Sequence, residues 1–267
     1  MNELRPLIDW PAKDRRGVRG VLADIDDTLT TEGRISSAVF DAMERLRAQG
    51  LLMVPITGRP AGWCDMIART WPVDGVVGEN GALAFRYDAA ARQMTRLYAD
   101  SAENRAANRT RLDAVAADVL AEVPGVAVAA DQHYRETDLA IDFAEDVTDV
   151  SEADVDAVVA VFERHGATAK VSSIHVNGWF GAYDKLTMTE RFLRECFAID
   201  LDAEVERFVF VGDSPNDSPM FGHFPNAVGV ANLAAMRDRC TALPTWLTAA
   251  ARGQGFIELA DALLDAL

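Results

Sequence analysis

Near the beginning of the chain, a short and mainly apolar run at residues 18–23 ends directly in Asp24-Ile25-Asp26-Asp27-Thr28-Leu29. The run predicts a buried strand. Asp24 and Asp26 are two positions apart, so at the end of such a strand both side chains point the same way, into the crevice in which α/β proteins bind ligands. Adjacent carboxylates repel each other unless a cation or a shared proton compensates for their charge. The motif therefore predicts a metal site, acid/base chemistry, or both.

Strand and helix patterns alternate before and after the middle of the chain. The elements predicted before it are strands at 20–25, 51–56 and 75–77 and helices at 36–49 and from Pro60 onward. Those predicted after it are a helix from Lys185 to about 197, strands at 208–211 and near 227–230, and a final helix. Strands that alternate with helices form parallel sheets with right-handed crossovers. The sequence thus predicts an α/β fold with a doubly wound, Rossmann-like parallel sheet.

The middle of the chain has the pattern of antiparallel structure. Its predicted elements are a hairpin (82–87 and 94–99), a helix (105–122), a half-buried strand (139–143), a helix opened by a Ser151–Asp154 capping box, and one extended segment (169–180). An α+β domain at residues 85–181 is therefore expected as an insertion. The α/β core domain would then consist of residues 1–84 and 182–267.

Composition argues against several classes of partner. The 267 residues carry a formal net charge of −16, which repels phosphate backbones and anionic lipid headgroups, so neither nucleic acid nor a membrane is expected as a partner.

Cys64, Cys196 and Cys240 are odd in number and lack CxxC spacing, as expected for reduced thiols in the cytoplasm. No apolar stretch has the length of a signal peptide or membrane span, which also favours a cytoplasmic location.

Three further polar segments lie where predicted core strands end or helices begin. Ile56-Thr57-Gly58-Arg59-Pro60 follows the second strand, and its hydroxyl and backbone amides at a helix start favour an anion. Asp184-Lys185 opens a helix, and Gly212-Asp213-Ser214-Pro215-Asn216-Asp217 follows the strand at 208–211. Alone, each has an ordinary interpretation as a helix cap, a solvated lysine or a turn. Together, at one edge of a sheet, they predict a phosphate site.

The four segments, in this order and spacing, resemble the motifs of the haloacid dehalogenase (HAD) superfamily of phosphohydrolases. Asp24 to Thr28 fits the DxDxT signature, and Gly212 to Asp217 fits the GDSxND form. An α+β insertion between Thr57 and Lys185 resembles the C2-type cap of the Cof-like, type IIB subgroup. Glu79-Asn80-Gly81-Ala82 is similar to the ENGA-type segment of that subgroup. Asp27 departs from the pattern, because many relatives have Gly there.

The resemblance implies a mechanism and a set of site residues. Asp24 would be the nucleophile that forms an aspartyl phosphate, and Asp26 would protonate the leaving oxygen and later activate water. Mg²⁺ would be bound by Asp24, the backbone carbonyl of Asp26, and Asp213. Asp217 and Asn216 would hold Lys185 or a metal-bound water. The residues expected to bind phosphate or substrate are Thr57, Gly58, Arg59, Lys185, Asn216, Asn80, His175 and Asn177.

The expected function is that of a Mg²⁺-dependent phosphatase acting on a small phosphorylated metabolite, with a sugar or polyol phosphate as the expected substrate. A phosphomutase of the same superfamily is the alternative among enzymes. A catalytically idle protein that binds a phosphorylated ligand is the alternative outside enzymes, although the intact motif residues argue against it. A monomer or a homodimer is expected.

Several side chains keep two interpretations. A calcium loop at Asp24 is disfavoured, because the sixth and twelfth positions are Leu29 and Ile35 rather than Gly and Glu. Alternation places His175, Asn177 and Trp179 on one face, which either contacts the leaving group or packs within the cap. The segment from His133 to Glu136 is either a loop tip over the site or, with some preference, a solvated turn. The side chains expected in the core are Trp63, Trp71, Met43 and Met66.

Overall fold

The computed structural model describes residues 4–267, and its centre is a six-stranded parallel sheet. The strands, in chain order, are β1 (Arg5–Pro6), β2 (Gly20–Ala23), β3 (Leu52–Pro55), β4 (Val76–Gly78), β5 (Leu83–Asp88), β6 (Gln93–Tyr98), β7 (Ala127–Val128), β8 (Leu139–Asp142), β9 (Thr168–Val171), β10 (His175–Trp179), β11 (Phe208–Gly212), β12 (Val228–Gly229) and β13 (Trp246–Leu247). The central sheet has the order β1-β13-β12-β11-β2-β3, and each neighbouring pair is parallel. The predicted doubly wound α/β fold is confirmed.

Helices cover both faces of this sheet. The helices of residues 4–267, those of the inserted region included, are α1 (Ala12–Arg15), α2 (Ser37–Ala48), α3 (Ala61–Thr70), α4 (Ala102–Glu122), α5 (Glu152–Arg164), α6 (Lys185–Phe197), α7 (Leu201–Glu204), α8 (Ser218–His223) and α9 (Arg252–Leu264). Because successive strand residues point to opposite faces, Val21 and Val209 pack with α2 and α9, whereas Leu22 and Phe210 pack with α6 and α8. None of the helices in residues 4–267 is long and apolar enough to cross a membrane.

The inserted region forms a second sheet, which is antiparallel and has its own core. Its order is β7-β8-β10-β9, and α4 and α5 cover one face with apolar side chains such as Leu112, Val158 and Phe162. The capping box of Ser151 and Asp154 begins α5 as predicted. The single extended segment predicted at 169–180 is wrong, because β9 and β10 form an antiparallel pair. The Ser172 hydroxyl accepts the N–H groups of residues 174 and 175 and so makes the turn between them.

A third, three-stranded sheet joins the two regions. The predicted hairpin is confirmed as β5 and β6, and β4 pairs with β5 in antiparallel fashion rather than continuing the parallel sheet. A single parallel bridge, Ile56 to Val77, connects β4 to the central sheet. Leu83 and Phe85 pack in the apolar cluster of α2 and α9. The division into residues 1–84 and 182–267 and residues 85–181 stays a prediction, and the packing of this hairpin supports an insertion that begins near Asp100.

The edge strand β1 and its neighbour β13 were not predicted. Each contains two residues, too few to show a periodic pattern. Their position is stabilised by aromatic packing from outside the strands, since Trp10 stacks on Trp246 with ring centroids 5.8 Å apart. Arg5 also lies over the Trp246 ring, 4.1 Å from its centroid. These contacts join residues more than 200 positions apart in the sequence.

Candidate active site

Three of the polar segments meet at the carboxyl edge of the central sheet. Asp24 follows β2, Thr57 follows β3, and Asp213 follows β11. β2 lies between β3 and β11, with Ala23 in register with Pro55 and with Val211. The carboxyl ends of parallel strands share one edge, so the register alone brings these segments side by side. Lys185 reaches the same place from the first turn of α6.

Lys185 is buried and is hydrogen-bonded to two carboxylates. Its Nζ donates hydrogen bonds of 2.7 Å to Asp24 Oδ1 and of 2.7 Å to Asp217 Oδ1. Burial by itself would lower the pKa of Lys185, but the charges of Asp217 and Asp24 outweigh burial and raise it, so the ammonium is kept. Asp184 caps the beginning of α6 by accepting the Thr187 N–H at 2.8 Å, which fixes the first turn of the helix and with it the position of Lys185. The interpretation as a solvated surface lysine is wrong.

Asp217 organises the loop after β11. Its second oxygen, Oδ2, accepts the backbone N–H groups of Asp213 (3.1 Å) and Ser214 (3.3 Å). Asn216 Oδ1 accepts the Ser214 hydroxyl at 2.7 Å. Asp217 thus contacts Lys185, one of the roles that the resemblance implies for it, and in addition holds the Asp213 backbone. Asn216 instead stabilises the turn and lines the cavity described below.

Asp24, Asp213 and Asp217 form a buried acidic cluster that fits a divalent cation. One carboxylate oxygen from each lies within 4.8 Å of the others. Asp213 Oδ1 is buried without a hydrogen-bond partner, although its Oδ2 accepts Asn232 Nδ2 at 3.0 Å. Burial, with the neighbouring carboxylates, raises the pKa of Asp24 to about 8 and that of Asp213 well above its usual value. An oxygen-only donor set of this kind suits Mg²⁺. Asn232 belongs to no motif that the sequence displays.

The Thr57 loop presents its backbone to the site. The Thr57 hydroxyl is buried and accepts the Arg59 N–H at 3.0 Å. Asn80 has both side-chain polar atoms buried and unpaired, and its amide lies against Gly58, where a β-carbon would come within 3.1 Å of Nδ2. Asn80 itself has a φ of 54°, a left-handed conformation that Asn tolerates better than most residues. The segment therefore offers unused hydrogen-bonding groups beside Thr57.

Arg59 is placed at the site but is neutralised by carboxylates. Its Nε lies 3.0 Å from both Asp26 oxygens, and its Nη2 donates to Glu145 at 2.7 Å. Asp131 is 3.4 Å from Nη1. The guanidinium lies over the ring of Trp63, 4.5 Å from its centroid, so Trp63 covers Arg59 and is 36% exposed rather than a core residue. Met66 is also exposed, at 44%, so these two core predictions are wrong, whereas Met43 is buried as predicted.

Two buried charges connect the core loop to the cap. Arg135 donates to the Gly58 carbonyl at 2.8 Å and pairs with Asp138 at 3.1 Å. The Glu79 carboxylate accepts the N–H groups of Ala61, Glu136 and Thr137 at 2.9, 2.8 and 2.7 Å. Burial, with the nearby Asp138 charge, raises the pKa of Glu79 to about 7. Of the segment at 133–136, only Arg135 is buried against the core loop, whereas the exposed side chains of His133, Tyr134 and Glu136 fit the preferred solvated turn.

A narrow space of about 300 Å³, including space that opens to solvent, lies between core and cap and is called the inner cavity below. It is lined by Asp24, Asp26, Gly58, Arg59, Ser172, Ser173, Ile174, His175, Asn177, Ser214 and Asn216. Of the face predicted on β10, His175 and Asn177 reach this cavity, while Trp179 stacks on Tyr183 at 5.6 Å within the packing. Thr57, Asn80, Lys185 and Asp213 are buried and do not line this cavity.

The two β10 side chains at the cavity, His175 and Asn177, each contact an acid. Asn177 Nδ2 donates to Asp138 Oδ2 at 3.0 Å, and His175 Nε2 lies 2.9 Å from Glu145 Oε2. Glu145 therefore lies between Arg59 of the core and His175 of the cap. The sequence did not single out Glu145, Asp131 or Asp138, because acids are frequent in this chain and nothing in their spacing marks them.

Comparison with known proteins agrees with this geometry. Residues 21–110 match the family model of haloacid dehalogenase-like hydrolases. No curated protein sequence matches the chain significantly. A HAD/COF-like hydrolase from Plasmodium vivax superposes with a TM-score of 0.69 at 15% identity, over 96% of this chain and 100% of the other.

Two phosphatase structures are also similar. A HAD subclass IIB sugar phosphatase has a TM-score of 0.60 at 16% identity, over 93% of this chain and 97% of the other. The sucrose-phosphatase of Synechocystis, solved with sucrose and phosphate, has a TM-score of 0.62 at 14% identity, over 93% and 98% of the two chains. At such identities these likenesses establish the fold, while the family model covers the segment that carries Asp24 and Thr57. Residues 21–110 therefore match the haloacid dehalogenase-like hydrolase family, and the chain as a whole has the fold of these HAD/COF-like structures.

Proposed function

We propose that the protein is a Mg²⁺-dependent phosphatase that hydrolyses a small sugar or polyol phosphate through an aspartyl phosphate on Asp24. The observation that carries the proposal is the buried Asp24 carboxylate, held at 2.7 Å by Lys185 beside the unpaired Asp213 Oδ1. Asp24, the backbone carbonyl of Asp26, and Asp213 would hold Mg²⁺, which supplies positive charge against the phosphoryl oxygens. The sugar phosphatases among the structural neighbours support the substrate class.

Asp24 is the nucleophile in this proposal. Its carboxylate attacks phosphorus, the bond from phosphorus to the leaving oxygen breaks, and an acyl phosphate forms. Lys185 fixes the orientation of Asp24 and supplies a positive charge that the two neighbouring carboxylates maintain. The Thr57 hydroxyl donates its proton to a phosphoryl oxygen, because the same oxygen already accepts the Arg59 N–H. Phosphoryl transfer depends chiefly on such positioning and charge neutralisation.

Asp26 transfers the protons. It lines the inner cavity on the same side as Asp24, and Arg59 contacts both of its oxygens. It donates a proton to the leaving oxygen in the first step and accepts one from water in the second, when water attacks the acyl phosphate. The cap covers this reaction, since Arg135 and Glu79 fasten the loop at residues 135–137 to the core. A cap placed in this way limits the access of bulk water to the reaction.

Phosphate release from an aryl phosphate and from a panel of sugar phosphates tests the proposal. We expect turnover with Mg²⁺ and none with excess chelator, with activity restored when Mg²⁺ is added back. Stoichiometric phosphate release separates a phosphatase from a phosphomutase, which would instead return the phosphoryl group to a second hydroxyl. Turnover that continues in excess chelator would contradict the metal requirement, and binding without turnover would indicate the idle protein.

The Asp26→Asn variant tests the division of roles between the two acids. Turnover of alkyl phosphates is expected to fall by about 10² to 10⁴-fold, because the general acid and base is lost. Mg²⁺ affinity, measured by calorimetry, is expected to change little, because the backbone carbonyl rather than the side chain would bind the metal. A loss of metal affinity equal to the loss of turnover would show that the carboxylate itself binds the metal.

A further inference from the structure

A second chamber lies outside the inner cavity and is called the outer chamber below. It has a volume of about 820 Å³, including space that opens to solvent. Asp26, Arg59, Ser173 and Ile174 line both spaces, so the two are adjacent. A phosphoryl group held beside Asp24 would therefore direct its leaving group along Asp26 and into the outer chamber.

Acids dominate the charged lining of the outer chamber. Its charged side chains are the four carboxylates of Asp26, Asp27, Glu32 and Glu145 and the two guanidinium groups of Arg59 and Arg252. Both arginines are already paired. Arg252 Nε is 3.0 Å from Asp27 Oδ1, and Arg59 contacts Asp26 and Glu145. The chamber therefore has an excess of two negative charges over its positive ones.

The third cationic candidate near the leaving group is also engaged. His175 lines the inner cavity, and its Nε2 lies 2.9 Å from Glu145 Oε2. Among the residues that line the two spaces, each Arg and His thus faces a carboxylate. Burial would raise the pKa of Glu145, but contacts with His175 and Arg59 outweigh burial and lower it to about 2, so this acid is charged at neutral pH. Lys185 is occupied by Asp24 and Asp217.

We infer that the leaving group carries no negative charge and that Glu145 is a residue that determines this specificity. The inference rests on the proposed phosphatase function and narrows its substrate. A leaving group with a carboxylate or second phosphate would meet an uncompensated negative lining and would have to displace an acid from Arg59. Polyol hydroxyls instead find acceptors and donors in Glu145, Thr30, Ser172, Ser173 and Asn216.

Matched phosphates test this charge selection. Sorbitol 6-phosphate and 6-phosphogluconate differ at one terminal carbon, which is CH₂OH in the first and a carboxylate in the second. Glycerol 3-phosphate and 3-phosphoglycerate differ in the same way. Each is measured as a competitive inhibitor of aryl phosphate hydrolysis, so the result does not depend on its own turnover. We expect inhibition constants about tenfold or more higher for the anionic member of each pair, the size of a like-charge repulsion near a protein surface.

Variants of Glu145 separate specificity from structure. Glu145→Gln is expected to lower the ratio of the two inhibition constants, anionic over neutral, by about threefold or more, because Arg59 is released for an anionic group. Glu145→Asp keeps the charge, so the ratio is expected to stay even where overall affinity falls. Glu163→Gln, an exposed acid on α5, is the control and should leave the ratio and turnover unchanged.

The outcomes are distinguishable. An active enzyme that binds both members of each pair equally would overturn the inference alone. A ratio that falls equally in Glu145→Gln and Glu145→Asp would show that Glu145 acts only by maintaining the contact between cap and core, which also overturns its assigned role. Failure to release phosphate from any aryl or sugar phosphate in the presence of Mg²⁺ would overturn the proposed function, and the inference with it.

Discussion

The Asp24→Asn variant is expected to lose phosphate release by about four orders of magnitude or more, the typical effect of removing a catalytic nucleophile. Asn has the same shape as Asp, and its side-chain oxygen can still accept the Lys185 hydrogen bond, which measures 2.7 Å in the native protein. What disappears is the anionic oxygen that attacks phosphorus. Initial rates at saturating Mg²⁺ with an aryl phosphate give the measurement, with enough enzyme to detect residual turnover.

Stability provides the control for this variant. Burial and the negative charges of Asp217 and Asp26 raise the pKa of Asp24, so a neutral amide at this position removes repulsion. The midpoint of thermal unfolding without metal is therefore not expected to fall. Asp41→Asn, at an exposed position on α2, should leave turnover unchanged. Turnover by Asp24→Asn within tenfold of the native rate would exclude Asp24 as the nucleophile.

The motif positions were predictable because they depend on local patterns and on one topological rule. The apolar runs before Asp24, Thr57 and Asp213 predict strands, and parallel pairing of those strands places their carboxyl ends at one edge. Lys185 was placed by the Asp184 cap of its helix. No distant contact is needed for these inferences, which explains why fold and core site were accessible from the sequence.

The ion pairs across the cap were not predictable in the same way. Arg59 and Glu145 are 86 positions apart, and their contact depends on how the second sheet lies over the first. The turn between β9 and β10 was also missed, because Ser172 and Ser173 interrupt an apolar pattern too briefly to separate two strands. Trp63 was assigned to the core because it lies four positions before the apolar Ile67 and so shares a helix face with it. In the structure its ring instead covers the Arg59 guanidinium.

Gly81→Ala is expected to lower both stability and turnover. Gly81 has a φ of 102°, which a residue with a β-carbon adopts only with strain, and the added β-carbon would overlap the carbonyl of Asp184. It would also come within 2.8 Å of the Lys185 backbone nitrogen. Strain and overlap together predict a loss of about 2 to 5 kcal/mol in the free energy of unfolding. Displacement of the first turn of α6 would also move Lys185 from Asp24, so kcat is expected to fall.

Gly50→Ala is the matched control, because it isolates backbone strain from overlap. Gly50 has a φ of 81°, but a β-carbon there would meet no atom within 4 Å. Its expected loss is about 1 to 2 kcal/mol, the strain contribution alone, with kcat unchanged. Denaturant unfolding of both variants, with kcat measured on the folded fraction, gives the comparison. Equal losses of stability and equal kcat values would show that the contact between Gly81 and the start of α6 does not position Lys185. A larger loss in Gly81→Ala, accompanied by lower kcat, would connect this backbone approach to the position of the lysine.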